Sequence, residues 1–266
     1  MRPKGEISQF RVQLLIFPYF YSMNIIIITG GSKGIGKALA EKYAQENYRV
    51  YSLSRSIVDL ENVVQLSVDL SDTKATHNTF KMLLDEIQKL EVSSITLMNN
   101  AGRLGTIANL ENIPSEDIAK SIHLNTTTPL ILSSLFIEAT QQLMCKKQII
   151  SISSGAAVKP YEGWSIYCTS KAAIDMMTKT IAAEQNELEH GVKCNAIYPG
   201  VVDTNMQTDI RSTNEKDFKN VQRFIDLKEN DQLYTPEYVA ETIFTIDTQN
   251  KLQNGDIVDI RNFDND

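Results

Sequence analysis

Cysteine, histidine and linker sequence are scarce in this chain, and each shortage removes a class of function. The three cysteines, Cys145, Cys168 and Cys194, make no CxxC pair and leave an odd count. Neither a disulfide framework nor a thiolate metal site is expected, and a reducing, cytoplasmic setting fits. The three histidines, His77, His123 and His190, form no HExxH pattern, so no metal is expected. Cationic charge is also short. With 26 Lys and Arg against 33 Asp and Glu, the net charge of -7 argues against a protein that grips nucleic acid through its phosphates. No repeat, low-complexity tract or Pro/Gly/Ser linker divides the 266 residues, which predicts one domain. No apolar run approaches the roughly 20 residues a membrane span needs, so no membrane partner is expected. The nearest candidate, Val12 to Tyr21, is interrupted by Gln13 and Pro18 and lacks a small-residue cleavage site. Residues 1–22 are therefore read as a disordered or mis-assigned extension, with the working protein beginning at Met23.

What is present is an alternation. From Met23 onward, apolar runs at 24–29, 49–54, 64–68, 95–98, 148–152, 193–198 and 257–260 alternate with helical patterns at 35–46, 73–90, 115–139, 164–189 and 236–245. Continuous apolar strands separated by amphipathic helices predict an α/β fold, a single doubly wound domain over 23–266 with about seven parallel strands and helices on both faces. One segment breaks the rhythm. Residues 202–234 are charged, patchily amphipathic and too long for a plain connection, which suits a flap over a site better than a solvated insertion.

The first strand empties into glycines, in "IIIITGGSKGIGKALA". A strand, a glycine loop and a helix N-terminus together turn backbone N–H groups toward an incoming anion, and side chains at Gly30, Gly34 and Gly36 would stand in its way. A glycine cluster alone is weak support, because turns also use glycine. Its place after the first strand of an α/β alternation points to the pyrophosphate of a dinucleotide.

The spacing T-G-x-x-x-G-x-G, Thr29 to Gly36, resembles that of the short-chain dehydrogenase/reductase family. The likeness extends through "NNAG" at 99–102, Asn125 in "LNTTTP", Ser154 at the end of "ISISS", "YCTSK" at 167–171 and "PGVVDT" at 199–204. It covers essentially the whole chain from Met23 and implies a Rossmann domain, a nicotinamide cofactor and carbonyl chemistry. By this resemblance the cofactor would be held by Thr29, Gly30, Ser32, Lys33, Gly34, Ile35 and Gly36 of the loop. Asp69 would contact the adenine edge, and Asn100, Ala101 and Gly102 would run along the adenosine side. Pro199, Gly200 and Val202 would shape the backbone beside the carboxamide, with Thr204 near the carboxamide or phosphate. Relatives are commonly homodimers or homotetramers.

In this fold the end of the second strand reaches the adenine ribose, where an acidic residue favours a free 2'-hydroxyl and a basic one a 2'-phosphate. The strand ends "YSLSRS", with Ser54 where an NAD-preferring relative would carry Asp, then Arg55, and with Lys33 offered by the glycine loop. Two cations and no carboxylate point to NADP(H).

Tyr167 and Lys171 are four residues apart on a helix, so their heads share one face. Lowering a phenol's pKa by roughly three units from about 10 needs about 4 kcal/mol of phenolate stabilisation. A cation about 4 Å away at an effective dielectric near 20 supplies a term of that size. The spacing therefore predicts an acidified phenol, and by resemblance Lys171 also holds the nicotinamide ribose. Ser154 would hydrogen-bond the substrate carbonyl. By resemblance Asn125 would support a water relay. Singly, Ser154 could be a turn serine, Tyr167 a core tyrosine and Asn125 a buried amide; jointly and in order they read as a catalytic set.

Between Ser154 and Tyr167, the residues Tyr161 and Trp164, with Met206 from the flap, either line a pocket for a flat apolar carbonyl substrate or simply pack a core. The stretches "SSGAAVKPYEGWSIYC" and "PGVVDTNMQTDIRS" resemble the benzil reductase subgroup, sepiapterin-reductase-like members of the family that form (S)-benzoin. That implies reduction of one ketone of an aromatic 1,2-diketone, with a pteridine or general dicarbonyl reductase as the alternative. A 3-oxoacyl-carrier reductase is less attractive, for want of a basic patch. A regulator that senses NADPH without turnover is the non-enzyme alternative, opposed by the full Ser, Asn, Tyr and Lys set. Replacing Arg55 and Lys33 together by Ala should raise KM for NADPH far more than KM for NADH; equal effects in steady-state kinetics would reject the 2'-phosphate reading.

Overall fold

A computed structural model of the chain describes residues 22–263. Residues 1–21, most of the expected extension, lie outside the described residues.

Seven parallel strands form one sheet: β1 (Met23–Thr29), β2 (Arg49–Ser54), β3 (Val63–Ser67), β4 (Val92–Asn99), β5 (Lys146–Ile152), β6 (Lys193–Tyr198) and β7 (Ile257–Asp259). Their order, β3-β2-β1-β4-β5-β6-β7, reverses direction between β1 and β4. Connections leave that point toward opposite faces, so a crevice opens at the C-terminal ends of β1 and β4, where ligands of such sheets bind.

The isoleucine run shows why the chain folds this way. Ile25 to Ile28 are all fully buried. Successive strand side chains point to opposite faces, so Ile25 and Ile27 join Ile95, Leu97, Phe80 and Phe136 on one side. Ile26 and Ile28 join Val50, Met98, Leu39 and Tyr43 on the other. Each buried isoleucine is worth roughly 2 kcal/mol, and both faces are covered, so the register of β1 leaves no polar side.

Helices α1 (Gly34–Gln45) and α2 (Thr73–Ile87) follow β1 and β3. The single helix expected over 115–139 is in fact α3 (Ser115–Ile122), a π turn (His123–Thr127) and α4 (Thr128–Thr140). Pro129 accounts for the break: it has no N–H to offer the carbonyl four residues back, which is that of Asn125, and its ring crowds that carbonyl. The long helix α5 (Ser165–Asn186) carries the Tyr-Lys pair. Within 202–234 lie two short helices, α6 (Asn205–Arg211) and α7 (Val221–Glu229), which the patchy amphipathicity had not resolved; α8 (Pro236–Thr248) follows. No helix among the described residues is long and apolar enough to cross a membrane.

Asp247, near the end of α8, is buried beside the beginning of β5. Its carboxylate accepts from Tyr43 Oη at 2.7 Å and Gln148 Nε2 at 2.8 Å, and pairs with Lys146 Nζ at 3.0 Å. One side chain thus joins α1, α8 and β5 away from the crevice. Asp247→Ala strands those partners and should lower stability by about 3 kcal/mol in urea unfolding, with cofactor affinity of the folded protein unchanged.

Candidate active site

The glycine loop is shaped first by its own packing. Gly30 has φ of +72°, a left-handed conformation that glycine adopts without strain, and its N–H donates to the Leu53 carbonyl at 2.7 Å. A side chain on Gly36 would strike the Gly30 carbonyl and the Asn100 amide, so what comes close at Gly36 is the loop itself. Lys33, at the N-cap of α1, makes no side-chain cap, and the first turn holds no acidic residue. An uncapped helix N-terminus beside Gly34 and the half-buried Ser32 and Ile35 fits the pyrophosphate of a dinucleotide.

Thr29 and Asn100 act on the loop rather than in the cleft. Thr29 Oγ1 accepts from the N–H groups of Asn100 and Ala101 at 2.9 and 3.0 Å, while Asn100 Nδ2 donates to the Thr29 carbonyl at 2.8 Å. They lock the ends of β1 and β4 together. At the adenine end, Ser54 is buried with its hydroxyl donating to the Ser56 carbonyl at 2.9 Å, while Arg55 and Lys33 are exposed. Asp69 is exposed, and its carboxyl lies below the usual range because Ser71 hydrogen-bonds it, with the charge of Arg55 adding to the effect.

Asn125 and Lys171 meet beside exposed Gly102, where a Cβ would lie 3.4 Å from Asn125 Oδ1 and 3.9 Å from Lys171 Nζ; Tyr167 stands one helical turn before Lys171, with Ser154 near its phenol. Asn125 accepts from the Arg103 N–H at 2.9 Å and donates to the Arg103 carbonyl at 2.7 Å and to Ser170 Oγ at 3.1 Å. Its amide clamps the loop that follows β4 at Gly102 and Arg103. Ser154 Oγ accepts from the Ala156 N–H at 3.1 Å and lies close enough to the Tyr167 phenol to favour its ionised form.

The expectation of an acidified phenol needs correcting for the protein alone. Burial pushes Tyr167 up to about 12, against the opposing hydrogen bond from Ser154. Lys171 Nζ lies 5.5 Å from the Tyr167 ring centroid and donates to the Ile152 carbonyl at 2.7 Å. Helix spacing brings the two side chains near each other, but it does not say how much water surrounds them, and desolvation sets the direction here. Burial also pulls Lys171 down to about 8, opposed by Asp175.

The flap starts from buried Pro199 and from Gly200, which packs against Tyr234, and it returns to the same place. Val202 bridges Tyr234, and the N–H of Asp203 donates to the Tyr234 carbonyl at 2.9 Å. Thr204 lies against Gly34, where a Cβ would be 3.2 Å from its methyl group. Tyr161, Trp164 and Met206 join a small core with Phe218 and Phe224. Trp164 stacks on Phe218 at 4.7 Å and 7°, and meets Tyr167 edge-on at 5.6 Å. Of the two uses open to Trp164, packing is thus the one observed, and its buried Nε1 has no partner among the described residues. The sequence reading missed Phe218, Phe224, Ser170 and Asp175. For Asp175 a signal existed, since it follows Lys171 by one helical turn.

A tyrosinate difference titration of the cofactor-free protein against Tyr167→Phe should reveal the missing phenol ionising near 12; ionisation at or below the ordinary 10 would contradict the burial account.

The short chain dehydrogenase family model matches residues 24–215. Benzil reductase ((S)-benzoin forming) of Bacillus cereus is 40% identical over 247 residues, spanning 90% of this chain and 99% of the relative. The protein of the same name from Bacillus subtilis (strain 168) is 38% identical over 243 residues, spanning 91% and 100%. Among solved structures, the KRED1-Pglu enzyme superposes with a TM-score of 0.76 at 26% identity, spanning 89% of this chain and all of that one. The chain belongs to the short-chain dehydrogenase family, and it is an oxidoreductase that binds a nicotinamide cofactor.

Proposed function

We propose that this protein is an NADPH-dependent carbonyl reductase that reduces one ketone of an aromatic 1,2-diketone, as benzil to (S)-benzoin. The observation that carries the reading is the placing of the Tyr167 phenol: beside Ser154, whose hydroxyl favours its ionised form, and edge-on against Trp164 at the margin of an aromatic cluster. Aromatic rings favour an aromatic guest through edge and offset contacts, beyond the area they bury. The names carried by the relatives from both Bacillus species support the same substrate class. The exposed Arg55 and Lys33, with no carboxylate on Ser54, support a 2'-phosphate.

When bound, the reduced nicotinamide supplies hydride to the carbonyl carbon. Tyr167 gives its proton to the developing alkoxide. A phenol held near 12 is fully protonated at neutral pH, and the alkoxide is the stronger base, so the transfer runs downhill. Ser154 orients the carbonyl oxygen toward that proton. Lys171, lowered to about 8, is charged below that pH and is the acid that follows Tyr167; above it the ammonium is lost and reduction should slow. Asn125 keeps the Arg103 backbone, and with it the open Gly102 position, beside the lysine.

Following NADPH absorbance with benzil, sepiapterin and simple ketones tests the reading. Benzil should be reduced, and Tyr167→Phe should abolish turnover while leaving NADPH affinity within about twofold, because the hydroxyl acts chiefly in the transition state. Failure with every carbonyl would favour an NADPH-sensing regulator, and preference for sepiapterin a pteridine reductase.

A further inference from the structure

Asp175 is a buried carboxylate that none of the steps above uses. It is 8% exposed, one helical turn beyond Lys171, which is itself 6% exposed. Tyr167, Lys171 and Asp175 fall at four-residue intervals and form one stripe along α5. The carboxylate is well partnered. Ser153 Oγ donates to its Oδ1 at 2.6 Å and Tyr198 Oη to its Oδ2. Those donors are the immediate neighbours of Ser154 and Pro199, at the ends of β5 and β6.

We propose that Asp175 is a positioning residue of this site, whose carboxylate supplies the counter-charge for the Lys171 ammonium and ties the chain ends carrying Ser154 and Pro199 to the helix that carries Tyr167. The proposal rests on the reading of Lys171 as part of the reductase site. A buried ammonium needs more than one carbonyl oxygen to remain charged, and the Ile152 carbonyl at 2.7 Å is the one backbone acceptor its amine meets among the described residues. Asp175 opposes the effect of burial on Lys171, and with burial it drives Tyr198 upward, so Tyr198 stays a neutral donor. The groups facing the carboxylate are Lys171 from α5, Ser153 just after β5 and Tyr198 from β6; Asp259 of β7 acts on Tyr198.

The test is a titration of the lysine ε-carbons by NMR in the full-length, cofactor-free protein, with the Lys171 signal assigned by its loss in Lys171→Arg. Wild type should titrate near 8. Asp175→Asn should move that midpoint down by about one unit or more. Its kcat for the carbonyl substrate should fall about tenfold at neutral pH, with KM for NADPH changed less than kcat and the alkaline limb of the rate profile following the amine. A purely structural clamp would lower the melting temperature and leave the amine where it was; an unmoved midpoint overturns the proposal. Should Asp175→Asn fail to fold, Asp175→Glu decides. It keeps the charge on a longer arm, so the midpoint must stay within about half a unit of wild type while kcat drops, and a midpoint shifted as by loss of charge overturns the proposal. The amine titration needs no turnover, so an inactive wild type would count against the carbonyl-reductase reading and leave this proposal separately decided.

Discussion

An ammonium group taken out of water must be met by oxygen, and the burial of Lys171 is the requirement around which the reactive end of this protein is arranged. Its amine reaches the Ile152 carbonyl at the end of β5, its helix brings Tyr167 one turn before it and Asp175 one turn after, and Gly102 keeps the space beside it open. Those contacts come from β4, β5 and α5, so the lysine is placed only when the sheet is assembled. The same burial sets the proton affinities: it raises the phenol to about 12 and lowers the amine to about 8, which drives apart two groups whose ordinary values nearly coincide. Below about 8 both hold their protons, the state in which they can serve as acids.

The cofactor half of the crevice depends on a different constraint, that backbone must come close to backbone. Thr29 and Asn100 tie β1 to β4 at the point where the strand order reverses, and Gly36 allows the Gly30 carbonyl to pass. The resulting loop leads into the first turn of α1, which has no side-chain cap and no acidic residue. The flap is anchored at both ends by Val202 and Tyr234 and seated on an aromatic core around Trp164. The rings that hold the 202–234 segment also border Tyr167.

Much of this was legible in the chain. The apolar runs and helical periods reproduce all seven strands, since a strand covered on both faces must be apolar throughout, and the Tyr167 to Lys171 interval is a local property of a helix. The single helix expected over 115–139 was not so simple, because the amphipathic pattern continues through Pro129 while the backbone hydrogen-bonding pattern does not. The flap helices are too short for periodicity to declare them, and Phe218 and Phe224 gain meaning only when they meet Trp164.

The amino-acid sequence by itself determined the doubly wound sheet, the glycine loop and the placing of Tyr167 and Lys171 on one helix face, because periodicity and short spacings act along the chain. Only the tertiary structure decided the proton affinity of Tyr167, the clamping role of Asn125 and the company of Asp175, because desolvation and hydrogen bonding depend on residues tens of positions away being packed against these groups. A spacing of four residues brings two side chains together; how much water is left between them is a property of the whole fold.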